Sequence, residues 1–585
     1  MSENLNPSPK PSAKSRSMAI TVAGLIGAAM LIPSVRHAIL AFFIKDEKKL
    51  EAATKVIESL IAAELVNQPL PGMKPVPPDL HIVPTGFPDH RLRATWHRTP
   101  EGSDAFPVAL FRALTDPTTG RPIIESFERY GLIPAPDDDT GLPVGFSHIK
   151  AKDHDFVMTG INCATCHSTQ ITYRGRTLHI DGAPNQLDVE AFFRGMLGAL
   201  EGILKDDTEE RMKFISRFIY YNAIELERMR AAGKLAAAPP PDTRSAAEKH
   251  RHTLAFLEAR LRGAAIIIES FAHQTAAGPS RADSFGIIRN LLMTPALLGG
   301  KSNFEPMTAP VSIPHLFQFG SFTNLHWDGN TTTGNDRNYA QAIALGADFD
   351  PKSLTSSVRP YDLYTMESTG QKLTQPPWPA VIFGPLDTAK VARGAELFRS
   401  QGCATCHSGE TWTRLELIGT DPNRLVNYAV PLHVKDGRTE SYATNLYKSA
   451  IAVKEKAYAD NHVPLAEQKK MDAWHYRVAP AWLETRQLGY FTRPLRGLWA
   501  TAPFLHNGSV PTLWDLLQPV EQRPKKFAVG HREFDPVHVG YTARPEKVVW
   551  EFDTALSGNR NTGHEFGTRL TDTQKWDLVE YLKTL

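Results

Sequence analysis

The chain has 585 residues, of which 42% are hydrophobic and 22% charged, a composition typical of folded globular proteins rather than disordered ones. Lys plus Arg total 65 and Asp plus Glu total 63, so the formal net charge is only +2. Proteins that bind nucleic acid by neutralising phosphates carry a larger basic excess, so we expect no nucleic-acid partner. At about 150 residues per domain, the length predicts several domains.

The first 44 residues have the pattern of an export or membrane-anchoring segment. Residues 1–17 form a basic leader, and residues 18–44 are mostly apolar, with Pro33 and Arg36 as interruptions. A stretch of this length can cross a bilayer, and no cleavage site with small residues follows its apolar run. We therefore predict a signal-anchor helix over 18–44, with a cleaved signal peptide as the alternative.

All four cysteines fall in two copies of one pentapeptide, Cys-Ala-Thr-Cys-His. The copies place a proximal His directly after each Cys pair, at Cys163, Cys166 and His167 and again at Cys403, Cys406 and His407. This is the c-type haem attachment pattern, in which two thiols on one helical turn add to the haem vinyl groups and the His binds iron. The sequence therefore predicts two covalently bound haem c groups.

Other roles for these cysteines fit the spacing less well. A structural zinc site needs four ligands close together, whereas the two pairs begin 240 residues apart, at 163 and 403. A disulfide framework is improbable because no Cys lies outside the two motifs. Covalent haem attachment takes place outside the cytoplasm, which agrees with an exported protein.

The rest of the chain is predicted to be mainly α-helical, with long loops and helical insertions. Residues 45–130 form a loop-rich lead-in, because Pro, Asp and Gly cluster from residue 68 onward. Residues 131–380 are predicted to be an N-terminal cytochrome c-like domain with the catalytic haem. Its insertion has helical spacing over 187–235 and, after a capping box at Ser245, to about residue 271.

Residues 381–585 are predicted to be a C-terminal cytochrome c domain that carries the electron-transfer haem. A helix over 387–400 leads into the second motif, and a capping box at Thr571 and Gln574 opens the last helix. In such a domain the second axial ligand comes from the loop before the last helix. His564 is the strong ligand in that loop and is our prediction; His506 is the competitor, as an iron ligand or a haem propionate contact.

No comparable second ligand is evident for the first haem, so an open or weakly ligated iron is predicted there. The segment 311–338 contains His326 and Trp327 among several phenylalanines. We interpret it as a distal pocket wall and an electron bridge, with Trp327 as the aromatic relay. An ordinary aromatic core with a turn at Asp328 is the alternative interpretation.

Five segments resemble the bacterial diheme cytochrome c peroxidase superfamily, and most closely its longer branch with the rubber oxygenases and related diheme oxygenases. The segments are GINCATCHSTQITYRGRTLHIDGAP, NLHWDGNTTTGNDRN, DTAKVARGAELF, TRPLRGLWATAPFLHNGSVPTLWDLL and NTGHEFG. The resemblance implies two cytochrome c-like domains that face each other, with a bis-ligated relay haem in the C-terminal domain and the reactive haem in the N-terminal domain. It also implies His167 and His407 as proximal ligands, and it supports His564 and the Trp327 segment.

Three functions follow from this organisation. The first is cytochrome c peroxidase-like reduction of hydrogen peroxide, for which the shorter relatives use a distal carboxylate or amide; Glu269 and Glu305 are the candidates here. The second is a rubber-oxygenase-like dioxygenase that uses O₂ on an unsaturated apolar substrate, and the third is a non-catalytic electron carrier. We expect a small electron-donor protein, a cytochrome c or a cupredoxin, as partner. The predicted location is the soluble periplasm or the periplasmic side of the bacterial inner membrane.

Overall fold

The computed structural model describes residues 47–136, 138–150, 155–205, 209–235, 242–271, 275–293, 303–331, 334–434, 437–473, 488–542, 545–546 and 549–585. The basic leader predicted over 1–17 and the signal-anchor helix predicted over 18–44 lie outside these residues. Across the described ranges, no helix is both long enough and apolar enough to span a membrane.

The described chain is mostly helical, as the sequence predicts, with small sheets between the helices. The α-helices are α1 (Glu47–Leu65), α2 (His90–Arg98), α3 (Val108–Ala113), α4 (Cys163–Cys166), α5 (Val189–Lys205), α6 (Glu209–Ala231), α7 (Ala246–Ser270), α8 (Ser284–Ile288), α9 (Gly334–Ala344), α10 (Pro360–Gly370), α11 (Ala380–Phe383), α12 (Thr388–Ser400), α13 (Cys403–His407), α14 (Leu415–Ile418), α15 (Asn423–Ala429), α16 (Tyr442–Asp460), α17 (Leu465–Met471), α18 (Leu513–Leu516) and α19 (Asp572–Leu582). A π-helical turn at Arg289–Met293 continues α8, and short 3₁₀ turns lie at Ile123–Tyr130, Phe319–Ser321, Leu498–Ala500 and Val520–Gln522.

The strands are short and pair into sheets of two or three strands. They are β1 (His81–Ile82), β2 (Phe106–Pro107), β3 (Ile149–Lys150), β4 (Val157–Thr159), β5 (Ser168–Tyr173), β6 (Arg176–Asp181), β7 (Arg281–Ala282), β8 (Val311–Ser312), β9 (Thr411–Arg414), β10 (Pro431–His433), β11 (Thr439–Ser441), β12 (Gly489–Thr492), β13 (Lys526–Val529), β14 (Phe534–Asp535), β15 (Gly540–Tyr541) and β16 (Trp550–Asp553). The β5–β6 hairpin directly follows the first haem motif and pairs Ser168 with Asp181.

Each haem motif is accompanied by a pair of crossing helices. Near the first motif, α2 packs against α10, and Gly370 of α10 lets the Trp96 ring approach its backbone closely. Near the second motif, α12 packs against α19, where a Cβ on Gly394 would lie 2.1 Å from the Asp577 carbonyl oxygen. The chain therefore contains two similar helix-pair units, one around each motif.

The helices predicted from apolar spacing are present. The stretch 187–235 forms α5 and α6, the capping box at Ser245 opens α7, and the box at Thr571 and Gln574 opens α19. These insertion helices bury one large apolar core against the N-terminal half of the chain.

The lead-in differs from its predicted loop-rich character. Residues 45–130 contain α1, α2 and α3, and α2 belongs to the helix pair beside the first motif. The 19-residue α1 contains no proline, and its buried Ile57, Ile61 and Leu65 recur at helical spacing. Beyond residue 68, by contrast, the prolines leave room only for short helices such as α2 and α3, whose periodic pattern is too brief to be distinctive. Burial of Trp96 and Phe111 in the core, rather than local propensity, stabilises these short helices.

Candidate functional site

The first haem motif forms one helical turn, α4, whose geometry is set by its neighbours. The Asn162 side chain caps the turn by accepting a hydrogen bond from the Ala164 N–H at 2.9 Å. The Glu101 carboxylate accepts a hydrogen bond from the Cys163 N–H at 2.8 Å. Gly145 has φ +81°, and a Cβ there would lie 2.3 Å from the Thr165 nitrogen, so only glycine allows the chain to pass so close to this turn.

The proximal histidines of the two motifs are held in the same way. His167 Nδ1 donates a hydrogen bond to the Pro314 carbonyl at 2.9 Å, and His407 Nδ1 donates to the Arg493 carbonyl at 2.9 Å. A carbonyl accepts only, so Nδ1 carries the proton in both rings and Nε2 keeps its lone pair. Burial lowers the pKa of His167 to about 3 and also lowers the pKa of His407, which keeps both rings neutral. This is the orientation and protonation state of a metal-ligating imidazole.

His564 lies opposite His407. The two ring centres are 6.4 Å apart with 52° between the ring planes. With metal–imidazole bonds of about 2.0–2.1 Å, and ring centres about 1.1 Å beyond the nitrogens, two rings on opposite sides of one ion have centres roughly 6.3 Å apart. The separation therefore fits a pair of axial ligands on a single haem iron.

The loop that carries His564 is tightly positioned. His564 has φ +49°, and its N–H donates to the Ile418 carbonyl at 2.7 Å. The buried Arg523 guanidinium donates to the carbonyls of Gly563 and His564 at 2.8 and 3.2 Å. Burial lowers the pKa of His564 to about 4, with the nearby His407 contributing, so this ring is also neutral. A non-glycine residue held in a left-handed conformation by several partners is a mark of a functional position.

The other predicted ligand of the second haem, His506, is engaged elsewhere. Its ring stacks on Tyr490 with centres 4.3 Å apart, and its Nε2 lies 3.1 Å from the Tyr490 hydroxyl. His506 is 6% exposed and its carbonyl accepts the Ser312 N–H at 2.8 Å. The structure thus brings His564, rather than His506, to face His407.

The corresponding position at the first motif has no such ligand. The loop before α10, residues 345–359, is the counterpart of the loop that holds His564, and it contains no His or Met. Its Lys352 side chain is exposed. Both helix-pair units therefore have a loop at this position. The loop of the second unit carries His564, whereas the loop of the first unit carries no strong ligand.

His315 of the 311–338 segment adjoins Pro314, whose carbonyl accepts from His167, and stacks on Phe317. His326 of the same segment also lies near the first motif. Its Nε2 is shielded from solvent and has no hydrogen-bond partner within the described residues, and its φ is +61°. Burial lowers its pKa well below the usual value, and Arg337 contributes; the same Arg337 also lowers the pKa of His167. Phe285 packs edge-on against the His326 ring with centres 5.0 Å apart.

Trp327 lies on a hydrogen-bonded route that joins the two proximal histidines. Its Nε1–H donates to the Ser312 carbonyl at 2.8 Å, two residues from the Pro314 carbonyl that accepts from His167. Its own carbonyl accepts the Phe491 N–H at 2.9 Å, two residues from the Arg493 carbonyl that accepts from His407. The route from His167 to His407 therefore consists of short stretches of backbone joined by single hydrogen bonds.

The segments beside the two motifs are structural counterparts, which sequence reasoning missed. Both contain the carbonyl that binds a proximal His, a residue with positive φ, a single 3₁₀ turn, and a histidine, over 312–326 and 491–506. They exchange hydrogen bonds reciprocally, because the Ser312 N–H donates to the His506 carbonyl and the Phe491 N–H to the Trp327 carbonyl. The counterparts, such as Pro314 and Arg493, are 179 residues apart, and the Asp328-Gly329 and Asn507-Gly508 pairs at that same spacing are the signal that could have revealed this repeat.

The two acidic residues considered as distal proton acceptors do not lie in a buried site. Glu269 is exposed on α7, and the Glu305 side chain is 50% exposed. The buried glutamates nearest the first motif are Glu101, which accepts from the Cys163 N–H, and Glu367, which accepts from Asn338 at 2.9 Å. Neither was predicted from the sequence.

An apolar cavity of about 540 Å³ lies beside the first motif, between the insertion helices and α9. Its wall consists largely of aliphatic and aromatic side chains, including Phe193, Leu197, Leu200, Phe256, Leu257, Ala264, Leu291 and Ile343. The polar exceptions are Arg260 and Asp348, which pair with each other at 2.8 Å where Asp348 is 55% exposed. Two elements connect the wall to the site: α9 carries both Arg337 and Ile343, and the 284–293 helix carries Phe285 as well as Leu291.

Comparison with known proteins supports the cytochrome assignment. Residues 489–528 match the family described as RoxA-like, cytochrome c-like, and a domain of this kind indicates covalently bound haem c and points to the rubber oxygenases. The uncharacterized protein y4iJ of Sinorhizobium fredii is 29% identical over 582 residues, covering 84% of this chain and 91% of that protein. The uncharacterized protein y4iM of the same organism is 28% identical over 328 residues, covering 51% of this chain and 70% of that protein.

Proposed function

We propose that this protein is a diheme c-type oxygenase of the rubber-oxygenase kind, which acts on an unsaturated apolar substrate at the first haem motif. A haem-dependent oxidoreductase of that kind is what the RoxA-like cytochrome c domain indicates. The observation that favours an oxygenase over a peroxidase is the apolar cavity beside the first motif, together with the exposure of Glu269 and Glu305.

The two motifs fit the haems that the proposal needs. Cys163, Cys166 and His167 would hold one haem, and Cys403, Cys406 and His407 would hold the second, with His564 as its other axial ligand. A haem held at the first motif would supply iron chemistry toward dioxygen.

The chain's own residues prepare the first site for such chemistry. The hydrogen bond from His167 Nδ1 to the Pro314 carbonyl orients the ring and makes its Nε2 a stronger donor to a metal. His326 offers a shielded, neutral ring whose Nε2 would make a hydrogen bond to a ligand of the first site, while its lowered pKa makes the ring a weak base. The side chains of the apolar cavity exclude water and bind hydrocarbon without requiring a polar partner.

The cavity is close enough to the first site to deliver a substrate. Arg337 and Ile343 are six residues apart on α9, as are Phe285 and Leu291 on the 284–293 helix, and six residues of helix span about 9 Å. An extended substrate in the cavity would therefore need to reach about 9 Å beyond its wall, the length of roughly seven carbon–carbon bonds. The π-helical turn at Arg289–Met293, a feature frequent at functional sites, lies in this wall.

The second motif is proposed to relay electrons to and from the first. The Trp327 route joins His167 to His407 through short hydrogen bonds, and the histidines around the second iron position leave no place there for a substrate. The electron donor is proposed to be a small cytochrome c or cupredoxin. The location is proposed to be outside the cytoplasm, because haem is attached covalently there and an apolar segment precedes the described chain.

Peroxide reduction is the second candidate function, and the Trp327 route favours it because a peroxidase needs electrons delivered to its reactive haem. Oxygen uptake with an emulsified unsaturated hydrocarbon, and peroxide consumption with a reduced cytochrome c, separate the two functions in one preparation. We expect oxygen uptake with the unsaturated hydrocarbon and none with its saturated analogue. Peroxide turnover without oxygen uptake would make the protein a peroxidase, and inactivity in both assays with ligand-insensitive spectra would make it an electron carrier.

A cavity-filling substitution tests the role of the cavity. Ala264→Trp places an indole in the cavity wall, so we expect at least tenfold slower oxygen uptake with the hydrocarbon, a loss of about 1.4 kcal/mol in transition-state stabilisation. Ala265→Trp, on the exposed face of the same helix, is the matched control and should retain the rate. Equal rates for the two variants would show that substrate does not enter through this cavity.

A further inference from the structure

A second cluster of ligating side chains lies near the first motif but contributes to neither haem site. His97, at the end of α2, meets His179 and Asp181, which are two residues apart on β6 and therefore point to the same face of the strand. One ligating atom from each residue lies within 4.8 Å of the others, and all three residues are at most 2% exposed.

The geometry around Asp181 is unusual for hydrogen bonding alone. Its Oδ1 lies 2.8 Å from His97 Nε2, 3.0 Å from His179 Nε2 and 2.8 Å from Ser168 Oγ, while Oδ2 lies 3.3 Å from the Arg93 Nε. A carboxylate oxygen has two lone pairs, so three donors at full strength exceed what Oδ1 can accept. Two imidazole nitrogens directed at one oxygen are better explained if something lies between them.

A metal ion meets these distances. With ligand bonds of about 2.0–2.2 Å, atoms on one ion are about 3.0 Å apart at octahedral right angles and about 3.4 Å apart at tetrahedral angles, so the observed 2.8 and 3.0 Å are closer to the octahedral separation. Two histidines and one carboxylate on one face are a recurrent ligand set for first-row divalent metals. Ser168 and Arg93 would then orient the ligating carboxylate, as outer partners of metal ligands commonly do.

We propose that His97, His179 and Asp181 bind a divalent first-row transition-metal ion at a site separate from both haem motifs. The ion would connect α2, which carries His97, to the β5–β6 hairpin, which carries His179 and Asp181. It would therefore stabilise the start of β5 directly behind His167, where the Trp96 Nε1–H also donates to Ser168 Oγ at 3.1 Å.

Zinc binding to the haem-loaded protein tests the site, with Zn²⁺ as the probe and metal content read by mass spectrometry separately from haem iron. We expect one Zn²⁺ per chain in the wild type after removal of free metal. His179→Gln should weaken binding by more than about 100-fold, because loss of a mere outer partner already weakens metal sites 10–100-fold. His148→Gln is the matched control, since His148 is also a buried histidine 2.8 Å from a carboxylate, that of Glu225, and it should bind zinc like the wild type.

Two results would overturn the proposal: no stoichiometric zinc in the wild type, or equal zinc in the wild type and His179→Gln. If the variants fail to fold, as judged by the haem absorption spectrum, anomalous scattering from wild-type crystals at the zinc edge decides. A peak between the three side chains supports the site, and its absence after a zinc soak refutes it. None of these readouts depends on oxygenase activity, so the outcome is independent of the proposed function.

Discussion

At the scale of single residues, the decisive property of a histidine in this protein is what its second ring nitrogen does. His167 and His407 each commit Nδ1 to a backbone carbonyl and so present a free Nε2. His506, which lies in an equally suggestive sequence, commits its Nε2 to Tyr490 and its ring face to the same residue. The contact with Tyr490 therefore distinguishes the packed His506 from the two proximal histidines.

Replacing His564 tests its assignment as the second axial ligand of the second haem. His564→Ala should convert the corresponding low-spin signal in the electron paramagnetic resonance spectrum to a high-spin signal that added cyanide shifts. His538→Ala is the control, because His538 is 43% exposed and bound to Asp535, so its spectrum should match the wild type. The prediction fails if His506→Gln, and not His564→Ala, produces the change.

Replacing Trp327 tests the route between the motifs. Trp327→Phe removes the Nε1–H bond to the Ser312 carbonyl, which should reduce stability by about 1 kcal/mol and slow reduction of the first haem after the second is reduced. Trp378→Phe loses a similar bond, to the Gly384 carbonyl at 2.9 Å, but lies off the route. Stopped-flow spectra should show slower transfer in the first variant alone; equal transfer rates in both would exclude Trp327 from the route.

At the scale of elements, the two helix pairs are equivalent in packing but not in what their loops carry. The α12–α19 pair is preceded by the His564 loop, whereas the α2–α10 pair is preceded by residues 345–359, which have no strong ligand. The same packing therefore accompanies a loop with a histidine that faces His407 in one unit and a loop without His or Met in the other. The insertion helices α5 and α7 contribute the apolar wall of the cavity on the side of the first unit.

The interface between α6 and α7 should make stability pH-dependent. Burial lowers the pKa of His250 to about 4, and its Nε2 lies 3.0 Å from Ser216 Oγ and 3.9 Å from a Glu58 oxygen. Because the unfolded chain binds the proton more tightly, this contribution to stability is complete above about pH 6.5 and is lost as the pH falls toward 4. Urea titrations should therefore show a shallower loss of stability over this range for His250→Gln. An unchanged slope would mean that His250 does not titrate with folding.

At the scale of the whole molecule, the chain builds two related haem motifs whose flanking segments exchange hydrogen bonds. The reciprocal contacts between 312–326 and 491–506 place Trp327 between the two proximal histidines. One unit supplies a site next to an apolar cavity and the other a pair of facing histidines. This asymmetry is the basis of the proposed division between substrate chemistry at the first motif and electron transfer at the second.

The haem content of the whole protein tests this arrangement. We expect two haems per chain by the pyridine haemochrome assay, with one low-spin and one ligand-accessible iron. Cys163→Ser combined with Cys166→Ser should remove the accessible iron, and the same change at Cys403 and Cys406 should remove the low-spin one. A wild type with a single haem per chain would contradict the assignment of both motifs.

The sequence by itself determined the attachment chemistry, because two thiols and a histidine within five residues form a site whose geometry one helical turn dictates. It also identified the long helices and both capping boxes, whose signals are local in the chain. Only the tertiary structure showed that His564 faces His407, that the lead-in contributes α2, that the 312–326 and 491–506 segments correspond, and that His97 meets Asp181. These features join residues from 84 positions apart, for His97 and Asp181, to 274, for Trp96 and Gly370, and contacts at such separations depend on packing that no local pattern encodes.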